Sequence, residues 1–453
     1  MGSSDNALKE LGSGFTGELV RPGDSSYDEQ RRIFNGMIDR KPSLIARARS
    51  AADLAATVRA AAKEGLPLAV RGGGHSIAGF SMIDDAIVAD CSLMNEVKVD
   101  PEAKTITAGP GCRWRDVDGT AAAHGLATTG GTISSTGIAG FTLGGGLGFL
   151  SKKYGLACDN LIDAEVVLAS GDVVRANADE NPDLFWAIRG GGGNFGIVSS
   201  FTFRAHPVSD VTFSLFVWPA AEGLDQLKLY RDYFPTTPPE VVALGMFGHA
   251  PPLPFIPEPL HGTAAYMLGT VYLGPQDEAE PWLKPFADRS PAASATIPMP
   301  YMFAQQLLDA SAPEGIRNYW RSAFMDTAPD QALAVLADGA STNPSTMSLI
   351  QLINTGPSPE VDNAFQGREH AFLFHLISVW TDPAEDEANI GWNTKLAQDL
   401  APFSTKGAYL NFIGDEGTAR VRNSYGPKYE RLLEIKRKYD PANMFRYNQN
   451  IAP

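Results

Sequence analysis

The apolar and polar positions of the chain alternate over short distances, which predicts small strands and helices joined by glycine-rich turns. Residues 51–64 predict a helix, because alanines fill the segment, Ser50 can cap its first turn and Gly65 can end it. Further helices are predicted at 114–124 and 183–188. Short apolar runs predict strands at 66–70, 86–90, 96–99, 105–108 and 197–204, and residues 164–169 and 173–176 predict a hairpin.

The pattern changes after Pro207, where glycine clusters become rarer and proline becomes more frequent. Helices are predicted at 224–234 and 330–337, an apolar strand at 372–380, and a basic helix at 425–439. Residues 1–26 predict a mobile lead-in. The change after Pro207 indicates a domain boundary, and the length of 453 residues is enough for two to three domains.

Composition excludes several classes of partner. The chain has 52 acidic and 37 basic residues, so its formal net charge is -15, and we expect it to bind neither nucleic acid nor an anionic membrane surface. Three cysteines and the absence of C-x-x-C and helical H-x-x-x-H patterns predict neither a disulfide framework nor a metal site. No run of 18 apolar residues and no secretory signal is found, so the cytoplasm is the expected location.

The most informative segment is Arg71-Gly72-Gly73-Gly74-His75-Ser76. Three consecutive glycines allow the backbone to approach a ligand closely, and their N–H groups can converge on a diphosphate. The histidine that follows is placed to touch whatever the diphosphate carries. Two more glycine clusters occur at 130–148 and 190–193, so the three together predict a large anionic cofactor held by loops.

Four ordered motifs carry a family resemblance: R-G-G-G-H-S at 71–76, G-I-A-G-F-T-L-G-G-G-L-G at 137–148, D-L-F-W-A-I-R-G-G-G-G-N-F-G-I-V at 183–198, and Y-D-P-A-N-M-F-R-Y-N-Q-N-I at 439–451. Together they resemble the FAD-linked oxidases of the berberine-bridge-enzyme-like group, in the vanillyl-alcohol-oxidase/p-cresol-methylhydroxylase superfamily. The resemblance implies an α+β fold. An FAD-binding domain of two subdomains would span 27–207, an antiparallel-sheet substrate domain 208–405, and a return to the FAD domain 406–453.

The resemblance also implies a cofactor site in which His75 is bonded to the 8α carbon of the flavin. Relatives often add a second bond from a cysteine, but Ile133 occupies that position here and Cys112 lies in a different motif, so we expect that link to be absent. The residues expected to bind FAD are Arg71, Gly72, Gly73, Gly74, His75, Ser76, Gly79, Gly130, Gly131, Gly137, Gly140, Gly144, Gly145, Val198, Asn411, Tyr447 and Asn448.

The catalytic base departs from the family pattern. Relatives often carry Tyr-x-Asn-Tyr and use the last tyrosine as base, whereas this chain has Tyr409-Leu410-Asn411-Phe412. His375 is one candidate, because it is the polar exception on an apolar strand face and a neutral imidazole can accept a proton near pH 7. Tyr409 is the other. The alternative to a base role for His375 is that it is a buried histidine with only a structural role.

The implied activity is that of a flavin-dependent oxidase. Hydride would pass from a substrate C–H next to oxygen or nitrogen to FAD, and O2 would reoxidise the flavin to give hydrogen peroxide. A small residue, Thr136, near the expected oxygen path favours an oxidase. Three alternatives stay open: a dehydrogenase with another acceptor, a natural-product tailoring enzyme, and a flavin-binding module without turnover. The small-molecule substrate and the oligomeric state are not determined by the sequence.

Overall fold

The computed structural model describes residues 3–356 and 359–453. Its first subdomain is a four-stranded sheet of order β1-β2-β4-β3, in which β2, β3 and β4 are parallel and β1 is antiparallel to β2. Its elements are α1 (Ser3–Leu11), β1 (Glu18–Val20), α2 (Tyr27–Gln30), β2 (Leu44–Arg47), α3 (Ala51–Glu64), β3 (Leu68–Arg71) and β4 (Ile87–Asp90). The sheet ends where β3 runs into the triple glycine.

The second subdomain is an antiparallel five-stranded sheet of order β5-β6-β10-β8-β9, with a small pair formed by β7 and β11. Trp114, Phe201 and Phe203 lie in its core. Its elements are β5 (Val97–Asp100), β6 (Thr105–Ala108), α4 (Trp114–Ala122), β7 (Leu126–Ala127), α5 (Ile138–Leu143), α6 (Ser151–Tyr154), α7 (Ala157–Asn160), β8 (Leu161–Val167), β9 (Val173–Asn177), α8 (Pro182–Ile188), β10 (Ile197–Arg204) and β11 (His206–Pro207).

A seven-stranded antiparallel sheet forms the next domain, in the order β15-β12-β14-β13-β17-β18-β16. Helices pack on one face of this sheet through a core that includes Trp218, Tyr230 and Phe286, which leaves the other face toward the glycine loops. The elements are β12 (Asp210–Pro219), α9 (Gly223–Tyr233), β13 (Val241–His249), β14 (Ala264–Tyr272), α10 (Gln276–Ala287), β15 (Ala293–Pro300), α11 (Tyr301–Ala304), β16 (Arg317–Met325), α12 (Asp330–Ser341), β17 (Leu349–Asn354), β18 (Phe372–Trp380) and α13 (Asp386–Leu400).

The C-terminal segment carries α14 (Thr418–Tyr425) and α15 (Tyr429–Tyr439) back to the second subdomain. The Tyr425 hydroxyl donates to the Gly191 carbonyl at 2.9 Å, and the buried Lys436 ammonium donates to the Asn194 carbonyl at 2.8 Å while pairing with Asp440. These contacts fix the last residues of the chain against the third glycine cluster.

The predicted α+β class is confirmed, and helix α3 has the predicted bounds and caps. Ser50 accepts a hydrogen bond from the Asp53 N–H, and Gly65 has a φ of 63°, in the left-handed region that glycine tolerates. The basic helix predicted at 425–439 is interrupted after Tyr425, because Pro427 cannot continue the backbone ladder of α14. Among the described residues, no helix combines the length and the hydropathy that a membrane crossing requires.

The prediction of a mobile lead-in missed an element. Residues 3–11 form α1, whose Ala7 and Leu11 are buried against Leu54 and Val58 of α3, and residues 18–20 add β1 to the first sheet. The two buried side chains are four residues apart and therefore lie on one face of the helix. So short an apolar stripe in a polar segment is a weak sequence signal.

Candidate active site

A trench runs along the glycine loops. Its walls come from residues 72–77, 131–144, 192–198, 410–413 and 445–449, so both subdomains and the C-terminal segment contribute to it. None of the described residues that line it carries a charged side chain. An anion in this trench would therefore be held by backbone dipoles and neutral polar groups.

The loop after β3 is built for close approach of a ligand. In the part of the chain that is described, the backbone N–H groups of residues 73–77 donate no hydrogen bond. These N–H groups line or adjoin the trench and are free to donate to an anionic group of a ligand there. Gly74 has a φ of 71°, which a side chain would strain.

Gly73 and Gly137 cross at van der Waals distance. A Cβ on Gly73 would lie 2.4 Å from the Cα of Gly137, and the reverse contact is equally short. Only glycine therefore fits at either position, since backbone cannot yield as a flexible side chain can. This contact brings the first and second glycine clusters together at the trench wall.

We expect Gly73→Ala to reduce folded, flavin-containing protein sharply, because the crossing cannot relax; the destabilisation should be on the order of 3 kcal/mol. Gly119→Ala is the matched control, since a Cβ there meets no atom within 4 Å and should stabilise helix α4 slightly. Thermal melting and the visible flavin spectrum provide the measurement. Equal melting temperatures for the two variants would contradict the steric account.

His75 stands at the trench wall with its imidazole in contact with two neighbours. Its Nε2 lies 3.0 Å from the Ser135 hydroxyl, and its ring stacks on Phe34 with the ring centres 4.1 Å apart. Burial lowers the pKa of His75 to about 3, and the charge of Arg113 adds to this. The imidazole is therefore neutral at physiological pH and retains a nucleophilic nitrogen.

Most of the residues predicted to bind the cofactor line the trench: Gly72, Gly73, Gly74, His75, Ser76, Gly131, Gly137, Gly140, Gly144, Val198, Asn411, Tyr447 and Asn448. Position 144 requires glycine because a Cβ there would lie 2.0 Å from the Asn411 Oδ1. Asn448 donates from Nδ2 to the carbonyls of Gly193 and Phe445, while its buried Oδ1 has no partner in the described chain.

Four predicted cofactor residues do not line the trench. The Arg71 guanidinium pairs with the buried Asp90 at 2.9 Å and donates to the Gln30 carbonyl. These contacts within the protein stabilise the start of the glycine loop. Gly79 has a φ of 75° and packs against Ile38. Gly130 lies against the Trp114 ring, and Gly145 lies against the Phe365 ring. Each glycine is required by a close approach within the protein.

Gly130 and Gly131 rest on a buried polar cluster that the sequence did not indicate. Gln305 Nε2 donates to the Gly131 carbonyl at 3.1 Å and to Asp118 Oδ2 at 3.4 Å, while Asp118 Oδ1 has no partner among the described residues. Burial raises the pKa of Asp118 to about 7. Helix α4 thereby contacts helix α11 of the other domain through a carboxyl group that is protonated at mildly acidic pH.

The raised pKa makes Asp118 a source of pH-dependent instability. Because its folded-state pKa exceeds the unfolded value near 4, the folded protein loses stability as pH rises from about 4 to 7. We expect Asp118→Asn to gain stability over the wild type at pH 8, by roughly 2–4 kcal/mol, and to gain much less at pH 4.5. Thermal unfolding at both pH values measures this. Parallel pH profiles would contradict it.

Of the three cysteines, Cys91 lines the trench, but burial raises the pKa of its thiol, so it is not a reactive thiolate. Ile133 lines the trench, while the buried Cys112 thiol faces the Glu96 carbonyl, with Sγ 3.5 Å from the oxygen. Burial raises the pKa of Cys112 to about 12, which removes the thiolate needed for reaction.

A second cavity adjoins the trench on the side of the seven-stranded sheet. Thr132, Leu147 and Phe412 line both cavities and mark the junction between them. Strands β13, β17, β18 and β16 form its floor. A molecule in the second cavity would face the trench across this junction.

Tyr409 lies at the edge of the second cavity and receives three hydrogen bonds. The Gly146 N–H, the Leu147 N–H and the Asn411 amide donate to its hydroxyl oxygen at 2.9, 3.1 and 3.0 Å. Burial raises the pKa of Tyr409 to about 12, and these donors act in the opposite direction. A phenolate can accept three such bonds, so the donors are arranged to stabilise the ionised form.

His375 lines neither cavity. Its ring stacks on Phe412 with centres 3.9 Å apart and meets the edge of Trp320 at 5.0 Å, and in the described chain neither ring nitrogen has a hydrogen-bond partner. Burial lowers the pKa of His375 to about 3. Phe412 thus stands between this imidazole and the cavity, which argues against the role of base that we considered from the sequence.

Comparison with known proteins agrees with this geometry. The profile of an FAD binding domain matches residues 42–177, and the profile described as "Berberine and berberine like" matches residues 408–452. The chain is 32% identical to (R)-6-hydroxynicotine oxidase of Paenarthrobacter nicotinovorans, covering 96% of this chain and 97% of the relative. It is 30% identical to an uncharacterized FAD-linked oxidoreductase of Bacillus subtilis, covering 97% of both.

Solved structures show the same fold. The crystal structure of 6-hydroxy-D-nicotine oxidase from Arthrobacter nicotinovorans superposes with a TM-score of 0.84 at 29% identity, covering 97% of this chain and 98% of that one. Berberine bridge enzyme from Eschscholzia californica superposes with a TM-score of 0.87 at 22% identity, covering 99% of both chains. The fold and trench define an FAD-dependent oxidoreductase. The chain belongs to the berberine-bridge-enzyme-like family of FAD-linked oxidoreductases.

Proposed function

We propose that the protein is an oxidase whose FAD is covalently attached through His75 and which oxidises a C–H bond next to oxygen or nitrogen in a small molecule. The observation that carries the proposal is the neutral imidazole placed directly beside the free N–H groups of residues 73–77. In that arrangement, the N–H groups that would bind the diphosphate and the nucleophilic nitrogen belong to the same loop.

The residues of the trench fit the parts of FAD. The free N–H groups of residues 73–77 would hold the diphosphate, and the unpaired Oδ1 of Asn448 would accept a hydrogen bond from the cofactor. The hydrogen bond to Ser135 orients the His75 ring. When bound, FAD accepts hydride from the substrate and delivers two electrons to O2, which gives hydrogen peroxide.

Tyr409 is the base that the geometry supports best. As the substrate loses hydride, the proton on its heteroatom must pass to an acceptor, and Tyr409 is a residue of the cavity where that heteroatom would lie. The donors on this oxygen would stabilise the negative charge of the phenolate. His375 would need Phe412 to move before it could reach a substrate.

The electron acceptor is tested by one experiment on the purified flavoprotein. Alcohols, amines, phenols and saccharides are added without oxygen while the visible flavin band is followed, and any compound that bleaches it is then assayed in air for peroxide and against a redox dye. Peroxide formation at the rate of bleaching supports an oxidase. Dye reduction without peroxide indicates a dehydrogenase, and a flavin that no compound bleaches indicates a binding module.

A further inference from the structure

The floor of the second cavity is an apolar row across four neighbouring strands. The strand register places Leu244, Ile353, Leu373 and Phe324 side by side, and all four line the cavity. Leu147, from the glycine loop, extends this apolar surface to the junction with the trench. A ligand resting on this floor would be in contact almost entirely with carbon atoms.

The charged side chains at this cavity are already engaged by the protein. The Lys152 ammonium donates to the carbonyl and the hydroxyl of Thr237 at 2.9 and 2.8 Å, and the Arg368 guanidinium donates to both carboxylate oxygens of Asp159. Of the described residues that line the cavity, none is Asp or Glu. The cavity therefore offers little to a charged or polyhydroxylated ligand.

Two amides are the exceptions, because the buried Nδ2 of Asn354 and the Gln351 side chain both lack a partner among the described residues. Gln351 lies one row further along the same sheet face, between Met246 and His375, and it is 9% exposed. Its amide makes no hydrogen bond to any described residue, although it lines the cavity. The Gln351 amide is therefore free to hydrogen-bond to a polar group of a ligand in this cavity.

We propose that the second cavity binds an aromatic or heteroaromatic substrate with few polar substituents, whose ring lies on the apolar row and one of whose polar atoms hydrogen-bonds to Gln351. This rests on the proposed function, because the bond to be oxidised must face the junction at Phe412. A saccharide would lose water from several hydroxyls, while the Gln351 amide and the Asn354 Nδ2 could replace only a few of those hydrogen bonds.

Binding is tested on the flavoprotein without oxygen, with 4-hydroxybenzyl alcohol and 2-hydroxypyridine against xylobiose and cellobiose. We expect the aromatic compounds to perturb or bleach the flavin spectrum saturably and the saccharides to leave it unchanged. Saccharides that bleach the flavin while aromatic compounds do nothing would overturn the inference and leave the oxidase proposal intact. Saturable aromatic binding without bleaching would support the inference and count against turnover. No binding by either aromatic compound would overturn the inference.

The role of Gln351 is tested by Gln351→Leu, with Gln331→Leu on the exposed face of α12 as the matched control. We expect Gln351→Leu to weaken binding of 4-hydroxybenzyl alcohol by roughly 3- to 10-fold and to leave benzyl alcohol, which lacks the ring hydroxyl, unaffected. The melting temperature should not fall, because the amide has no partner in the protein. A lowered melting temperature with unchanged binding of both alcohols would overturn this role.

Discussion

His75→Ala is expected to abolish covalent flavin attachment completely. Acid-precipitated wild-type protein should remain yellow, whereas the variant should release all of its chromophore into the supernatant. The free N–H groups of residues 73–77 remain in the variant, so it should still bind FAD reversibly. Loss of the tether should also slow flavin reduction by about tenfold, which corresponds to about 1.4 kcal/mol of transition-state free energy, because the bond raises the flavin potential.

Mass spectrometry of the denatured chain and its peptides identifies the attachment site. The matched control is His124→Ala, which changes an exposed histidine and should keep the covalent flavin. Attachment that persists in His75→Ala would show that another residue carries the bond. A colourless wild-type precipitate would remove the tether from the proposal while leaving FAD binding itself unaffected.

Tyr409→Phe is expected to lower kcat by roughly 10²–10⁴-fold, the range typical of a general base. Since burial raises the pKa of Tyr409 to about 12, the phenolate is the minor form at neutral pH. The wild-type kcat/KM should therefore rise with pH, by up to about tenfold per pH unit below that pKa, and the variant should lose this dependence. Rapid-reaction measurements of flavin reduction between pH 7 and 10 provide the test.

The variant also leaves the N–H groups of Gly146 and Leu147 without an acceptor, so stability must be measured separately. Tyr27→Phe is a suitable control, because it removes a buried hydroxyl that donates to the Pro42 carbonyl at 2.7 Å, away from both cavities. Tyr409→Phe should keep its flavin and its reduction by dithionite. If it retains wild-type kcat with an unchanged pH profile, Tyr409 is not the base, and His375→Gln becomes the next variant to measure.

The candidate base His375 shows what the sequence pattern could predict about the site and what it could not. Alternation along 372–380 predicted that His375 shares a strand face with Leu373 and Ile377. In the structure the helices pack on Phe372, Phe374 and Leu376, so His375 lies on the opposite face. Periodicity gives the face of a strand but not what covers it. Phe412 comes from a segment 37 residues later in the chain, and only the packing of that segment on the sheet showed that it screens the imidazole.

Gln351 and Asp118 gave no usable signal in the sequence. Each is an ordinary polar residue within a strand or helix, and each has hydrogen-bonding capacity that the described residues leave unused: Asp118 Oδ1 has no partner, and the Gln351 amide lines the cavity without one. Such a deficit arises only when several distant elements close around a side chain. The same holds for Tyr409, whose hydroxyl meets N–H groups more than 260 residues earlier in the chain.

The sequence by itself determined the local features: the capped helix α3, the glycine loop that precedes His75, and the family to which the ordered motifs belong. These depend on consecutive residues, because turn conformation and capping are set within a few positions of the chain. Tertiary structure alone decided which candidate base lines the second cavity, which polar groups stay unpaired and which side chains form the floor of that cavity. Those properties depend on the closure of three separate chain segments around one space, and no short-range pattern encodes that.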